Sequence, residues 1–128
     1  MIATGTGGGR RILVVDDHVA SVSSLSLVLS LLGYDVRCAF DGLEALRRAA
    51  EFRPEIAVLD LSLPLLDGYA VATRMRAMEA TRDTLLVAMT GWGSDAVSDR
   101  VRASGFDLHL VKPVSVDRLT DAIQLAGC

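Results

Sequence analysis

A chain of 128 residues with 51% hydrophobic side chains buries roughly two-thirds of its unfolded surface as one domain, so neither a disulfide framework nor a structural metal is needed to hold it. A formal charge of −3 with scattered arginines argues against a nucleic-acid-binding surface, and no stretch approaches the ~18 apolar residues of a membrane span. The two cysteines, Cys38 in a strand-like run and Cys128 at the end, read as separate thiols in a reducing cytoplasm.

Residues 1–9, rich in Gly and Thr and lacking an apolar signal core, are expected to form a flexible leader to a folded domain over 10–128. Residues 11–15 (RILVV) predict a strand covered on both faces, ending at Asp16-Asp17. Val22, Leu25, Leu29 and Leu32 recur at helical spacing, and Gly33 suits the position after a helix end. Residues 34–39 alternate like a strand nearer an edge. Asp41 and Glu44 form a capping-box pattern for a second helix, with Leu43, Leu46 and Ala50 as its apolar stripe.

Pro54 breaks the chain before a buried strand over 55–60 that ends in Asp60. A loop through Pro64 and Asp67-Gly68 leads to a third helix with Val71, Met75 and Met78 facing inward. Residues 84–90 predict a fourth strand ending in Thr90, followed by Gly91-Trp92-Gly93 and a helix from Ser94 through Ala103, closed by Gly105. Residues 106–111 predict a fifth strand, ending at Lys112-Pro113. Ser115 caps the last helix, with Val116, Leu119, Ile123 and Ala126 on one face. Five uninterrupted βα units imply a parallel sheet with helices on both faces and right-handed crossovers.

Ligands of open parallel sheets bind beyond the carboxyl ends of the strands. There this chain places Asp16 and Asp17, Asp60, Thr90 and Lys112, with only the second strand contributing no polar group. Crowded carboxylates repel unless compensated, and a hard divalent cation with oxygen ligands compensates them. Lys112 can neutralise remaining charge and Thr90 can donate to a phosphoryl oxygen. The set suits phosphoryl transfer to a carboxylate nucleophile. Singly, each acid could instead cap the following helix.

The runs ILVVDD, AVLDLSLPLLDG, VAMTG and LVKP resemble the motifs of the response-regulator receiver family of two-component signalling, from about Arg11 to Ala126. The resemblance implies a flavodoxin-like (βα)5 doubly wound parallel sheet of strand order 2-1-3-4-5. It makes Asp60 the phosphoacceptor and Mg²⁺ (or Mn²⁺) the cofactor, held by Asp17, Asp60 and the Ser62 backbone carbonyl, with Asp16 acting through a metal-bound water. Thr90 would move toward the phosphoryl group, Lys112 would pair with it, and Pro113 would follow a cis peptide. The donor would be a phosphohistidine on a sensor histidine kinase or histidine phosphotransfer protein. The output would be a repacked surface of the fourth helix, fifth strand and fifth helix offered to an unidentified partner, with no enzymatic activity beyond the receiver's own phosphorylation and dephosphorylation.

Two positions depart from the pattern. His109 stands where the family usually has Tyr or Phe, either as a strand histidine of no special role or coupled to Thr90. Trp92 is either an exposed loop aromatic, a cover over Asp60, or a partner anchor. A haloacid-dehalogenase-type hydrolase would need a second acid two residues past its nucleophile, where this chain has Ser62 after Asp60 and His18 after Asp16. A binding module working without phosphorylation is the other alternative. With nothing after residue 128, the expectation is a stand-alone or shuttle receiver over one tethered to a hybrid kinase, with no nucleic-acid or membrane partner.

Overall fold

The computed structural model describes residues 8–91 and 95–126. Trp92, Ser94, Cys128 and most of the expected leader lie outside them. Five strands, β1 (Arg11–Val15), β2 (Asp35–Ala39), β3 (Ile56–Asp60), β4 (Leu85–Thr90) and β5 (Leu108–Val111), alternate with five helices. These are α1 (Val19–Leu31), α2 (Gly42–Phe52), α3 (Gly68–Ala77), α4 (Asp95–Ala103) and α5 (Val116–Ala126). The sheet is parallel throughout, in the order β2-β1-β3-β4-β5 expected of the flavodoxin-like fold.

Strand alternation divides the core in two. Leu13, Val15, Ala57, Leu59, Leu86 and Ala88 face Ala45, Ala49, Val71, Met75 and Val101 of α2, α3 and α4. Ile12, Val14, Ile56, Val58 and Val87 face Val22, Leu29, Leu119 and Ile123 of α1 and α5. The central strands β1 and β3 are covered on both sides, which is why their sequences read as continuous apolar runs.

Local chemistry sets most element ends. Asp41 accepts from Glu44 N at 2.7 Å, while the Glu44 carboxylate reaches back one residue further than a simple capping box, to Phe40 N at 2.7 Å. Asp67 and Ser115 cap α3 and α5 through Ala70 N and Arg118 N. Gly33 and Gly105 adopt φ of 98° and 104° and close α1 and α4 in the same way. The N–H of Tyr34 returns to Leu29 O and that of Phe106 to Val101 O, a turn that needs a left-handed residue.

Some expectations required correction. The buried face of α2 is Gly42, Ala45 and Ala49; Leu43 is 52% exposed and Ala50 also faces outward. The helix lies close on the sheet through its small residues, and only Leu46 of the expected stripe packs against the core. Met78 is the half-buried C-cap of α3 rather than part of its inner face. β5 begins at Leu108, because Phe106 is taken up in closing α4.

Candidate functional site

The carboxyl ends of β1, β3, β4 and β5 meet at one edge of the sheet. Asp16, Asp17 and Asp60 each offer a carboxylate oxygen within 4.8 Å of the others, with Asp16 and Asp60 buried and Asp17 exposed. Lys112 reaches in from the end of β5, its Nζ 3.1 Å from Asp60 Oδ2 and 3.3 Å from Asp16 Oδ2. Its backbone is held by donation from Lys112 N to Thr90 O at 2.7 Å, and the Lys112–Pro113 peptide is cis. Thr90 is buried at the end of β4, one residue beyond Met89, the register partner of Asp60.

Two backbone donors set the orientation of the buried acids. Ser62 N donates to Asp60 Oδ1 at 3.1 Å and His18 N to Asp16 Oδ1 at 3.0 Å. The Asp60 carboxylate is therefore fixed through both oxygens, by Ser62 on one and Lys112 on the other. Asp16 does not cap α1, whose N-cap His18 makes no side-chain capping bond. Instead the His18 ring contacts Ser21 Oγ at 2.6 Å. These N–H clamps were invisible in the sequence, since a backbone donor leaves no residue-type signature; the only hint was that each lies two residues past its aspartate.

The charges influence one another strongly. Burial pushes the Asp60 carboxyl above the usual carboxylate range, helped by the neighbouring Asp16 charge and opposed by Ser62 N–H and Lys112. Burial also pushes Asp16 upward, but His18 N–H, the Lys112 ammonium and the hydrogen bond shared with Asp60 together hold it below that range. For Lys112 burial acts downward and is outweighed by Asp60 and Asp16, so its ammonium titrates above the ordinary lysine value. With all groups ionised, three carboxylates and one ammonium leave two negative charges uncompensated.

That residue of charge matches a dication. The acidic oxygens lie within 4.8 Å of one another, gathered as a hard divalent cation with oxygen ligands requires. All three acids are hard oxygen donors, and the exposure of Asp17 leaves a path to solvent.

His109 is separate from this cluster. It pairs with Ala88 in the sheet, its Nδ1 lies 3.5 Å from Ser98 Oγ of α4, and its buried Nε2 has no hydrogen-bond partner among the described residues. Its ring therefore packs toward α4.

The family description "Response regulator receiver domain" matches residues 12–124. The transcriptional regulatory protein PrrA of Mycobacterium leprae is 41% identical over 116 residues, covering 89% of this chain and 48% of PrrA. The chain thus spans about half the length of the curated relatives it matches. Chemotaxis protein CheY4 of Vibrio cholerae superposes with a TM-score of 0.86 at 28% identity, over 91% of this chain and 97% of that one. The receiver domain of sensor histidine kinase PA1611 from Pseudomonas aeruginosa, with a magnesium ion coordinated in its active-site cleft, superposes with a TM-score of 0.83 at 30% identity, over 91% and 96% of the two chains.

Proposed function

The chain belongs to the response-regulator receiver family and is a phosphoryl-accepting receiver of two-component signalling; on that premise we propose that Asp60 is the residue phosphorylated, with Asp16, Asp17, Asp60 and the Ser62 carbonyl holding Mg²⁺. The observation that carries the assignment is the Lys112 ammonium bridging Asp60 and Asp16 at 3.1 and 3.3 Å inside a three-carboxylate cluster. Asp16 and Asp60 are each held at both oxygens, and of the two it is Asp60 that ends the central strand β3.

An Asp60 oxygen attacks phosphorus as the P–N bond of a phosphohistidine breaks, and the imidazole leaves with the bonding pair. Ser62 N–H and Lys112 hold the attacking carboxylate so that little reorientation is needed. Lys112 moves with the charge, pairing the phosphoryl oxygens as it releases Asp60 Oδ2. The Thr90 hydroxyl, buried at the end of β4, donates to the new phosphoryl group. When bound, the cation neutralises the transferring oxygens and keeps the acids ionised.

The product adds roughly −1.5 to −2 charge near pH 7. Thr90 and Lys112 answer it from β4 and β5, whose neighbours α4 and α5 form the surface offered to an output partner. His109 links that surface to Ser98 of α4. The phosphodonor is a histidine kinase or histidine phosphotransfer protein of the cytoplasm. Since PrrA is a transcriptional regulator about twice the matched length, the expectation of no nucleic-acid partner applies to the receiver's own surface and is not kept for the whole protein. A receiver working by binding alone has no use for a cluster of like charges clamped this way, and Ser62 leaves a dehalogenase-type hydrolase without its second acid.

Incubation with acetyl phosphate, with and without Mg²⁺, tests the assignment by intact mass. A Mg²⁺-dependent gain of one phosphoryl group that disappears in Asp60→Ala is expected. Labelling that persists in Asp60→Ala would move the acceptor elsewhere.

A further inference from the structure

Between Asp60 and α3 the chain makes a short loop whose two ends both rest on the phosphoacceptor. Gly68 N donates to Leu61 O at 3.0 Å, and a Cβ on Gly68 would stand 2.5 Å from Asp60 O. Near the tip, Leu66 N donates to Pro64 O at 2.7 Å around Leu65, which has φ of 70°. This is a γ-turn with positive φ at its centre, a strained conformation for a bulky side chain. Leu65 is nevertheless 75% exposed, more than any other large apolar residue described. A strained backbone that presents an apolar side chain to water gives nothing to the fold, and such outliers persist where contact or function maintains them.

The adjoining loop adds to the same rim. Gly42 N donates to Pro64 O at 3.4 Å, joining the start of α2 to the Leu65 turn, and Phe40 and Leu43 beside it are 36% and 52% exposed. Asp60 itself is 5% exposed. A phosphohistidine carried on a protein must therefore bring its backbone down over this rim, whereas a small phosphodonor can enter without touching it.

Resting on the reading of Asp60 as phosphoacceptor, we propose that Leu65 is a specificity-determining contact for the phosphodonor protein. Its strained turn holds an apolar anchor beside Asp60, which an apolar surface flanking the donor histidine covers during transfer. Anchors of this kind concentrate the energy of an interface in a few side chains. Leu65 takes no part in the chemistry at phosphorus.

The test compares two donors on the full chain and on two variants. One donor is acetyl phosphate with Mg²⁺; the other is the autophosphorylated histidine kinase, among those of the source organism, that labels the wild type fastest. Leu65→Asn should keep the fold by circular dichroism and the acetyl phosphate rate within about twofold, and lower kcat/KM with the kinase roughly tenfold, the loss of one good contact. Leu65→Met keeps an apolar side chain and should retain most of the kinase rate. Equal rates for wild type and Leu65→Asn with the kinase would overturn the proposal. So would a parallel loss with acetyl phosphate, which would make the loop part of the reacting site, or a wild type labelled by acetyl phosphate but by none of the kinases. A wild type that acetyl phosphate does not label would instead overturn the assignment of Asp60.

Discussion

The two edges of the sheet use charge in opposite ways. At the amino-terminal edge, Arg76 donates to Gly105 O, Arg82 O, Thr84 O and Asp107 Oδ2 at 2.6–2.9 Å. Asp107 in turn accepts from Leu86 N, and Glu55 is paired with Arg10 and Arg11. The Arg76 guanidinium meets acceptors from the α3–β4 connection and the α4–β5 turn, and little charge is left over. At the carboxyl-terminal edge, three acids cluster and one lysine pairs with two of them. Paired charge stabilises local structure, while unbalanced charge held in place favours a ligand that completes it. The same fold therefore has one edge that serves stability and another that serves binding.

The largest effect expected from this contrast is at Asp60. Asp60→Asn should abolish phosphoryl transfer from any donor while leaving the fold intact by circular dichroism. Lys112→Ala should follow, lowering the acetyl phosphate labelling rate by about 10²–10³, the usual range for removing one donor to a developing charge. If Lys112 only balanced the acids in the resting state, the rate would barely change.

At the opposite edge the readout becomes stability. Arg76→Met strands several carbonyls and the Asp107 carboxylate, and should cost roughly 2–4 kcal/mol in urea unfolding with Mg²⁺ binding unchanged. A loss of Mg²⁺ affinity in that variant would show that the edges are not independent.

Smaller shifts are expected from the acids without metal. The raised pKa of Asp60 means that its charged form is disfavoured by folding, so it costs stability at pH values above its folded pKa. That cost fades as pH falls through the folded pKa. Asp16, held low, acts in the opposite sense, contributing stability above its unfolded pKa that is lost as pH falls. In EDTA at pH 7, Asp60→Asn should therefore raise Tm by roughly 2–5 °C and Asp16→Asn should lower it; Mg²⁺ should then stabilise the wild type but not Asp60→Asn. Shifts of the same sign would contradict this division of the charge. Glu55→Gln should matter least, under about 1 kcal/mol by denaturant titration, because its pairs are exposed.

Much of this is legible in the sequence. Apolar runs ending in acids marked β1 and β3, and Asp41, Gly33, Gly105 and Ser115 marked element ends, because turn and cap chemistry acts between neighbours in the chain. The stripe of α2 was misread because leucines usually mark the buried side of a helix, whereas Ala45 and Ala49 let this helix approach the sheet closely. Arg76 carried no sequence signal at all, since its acceptors are mainly backbone carbonyls up to 29 residues away. The strain at Leu65 was equally hidden, because an ordinary leucine gives no sign of a left-handed backbone.

The sequence alone determined the alternation of strands and helices and which residue types stand at each strand's end, for these depend on local periodicity and on position along a strand. Only the tertiary structure decided that Asp16, Asp17, Asp60 and Lys112 share one small volume, that Ser62 and His18 orient the buried acids, and that His109 turns toward α4. Those outcomes depend on strand order and register, and it is the long-range packing of the two layers against the sheet that settles both.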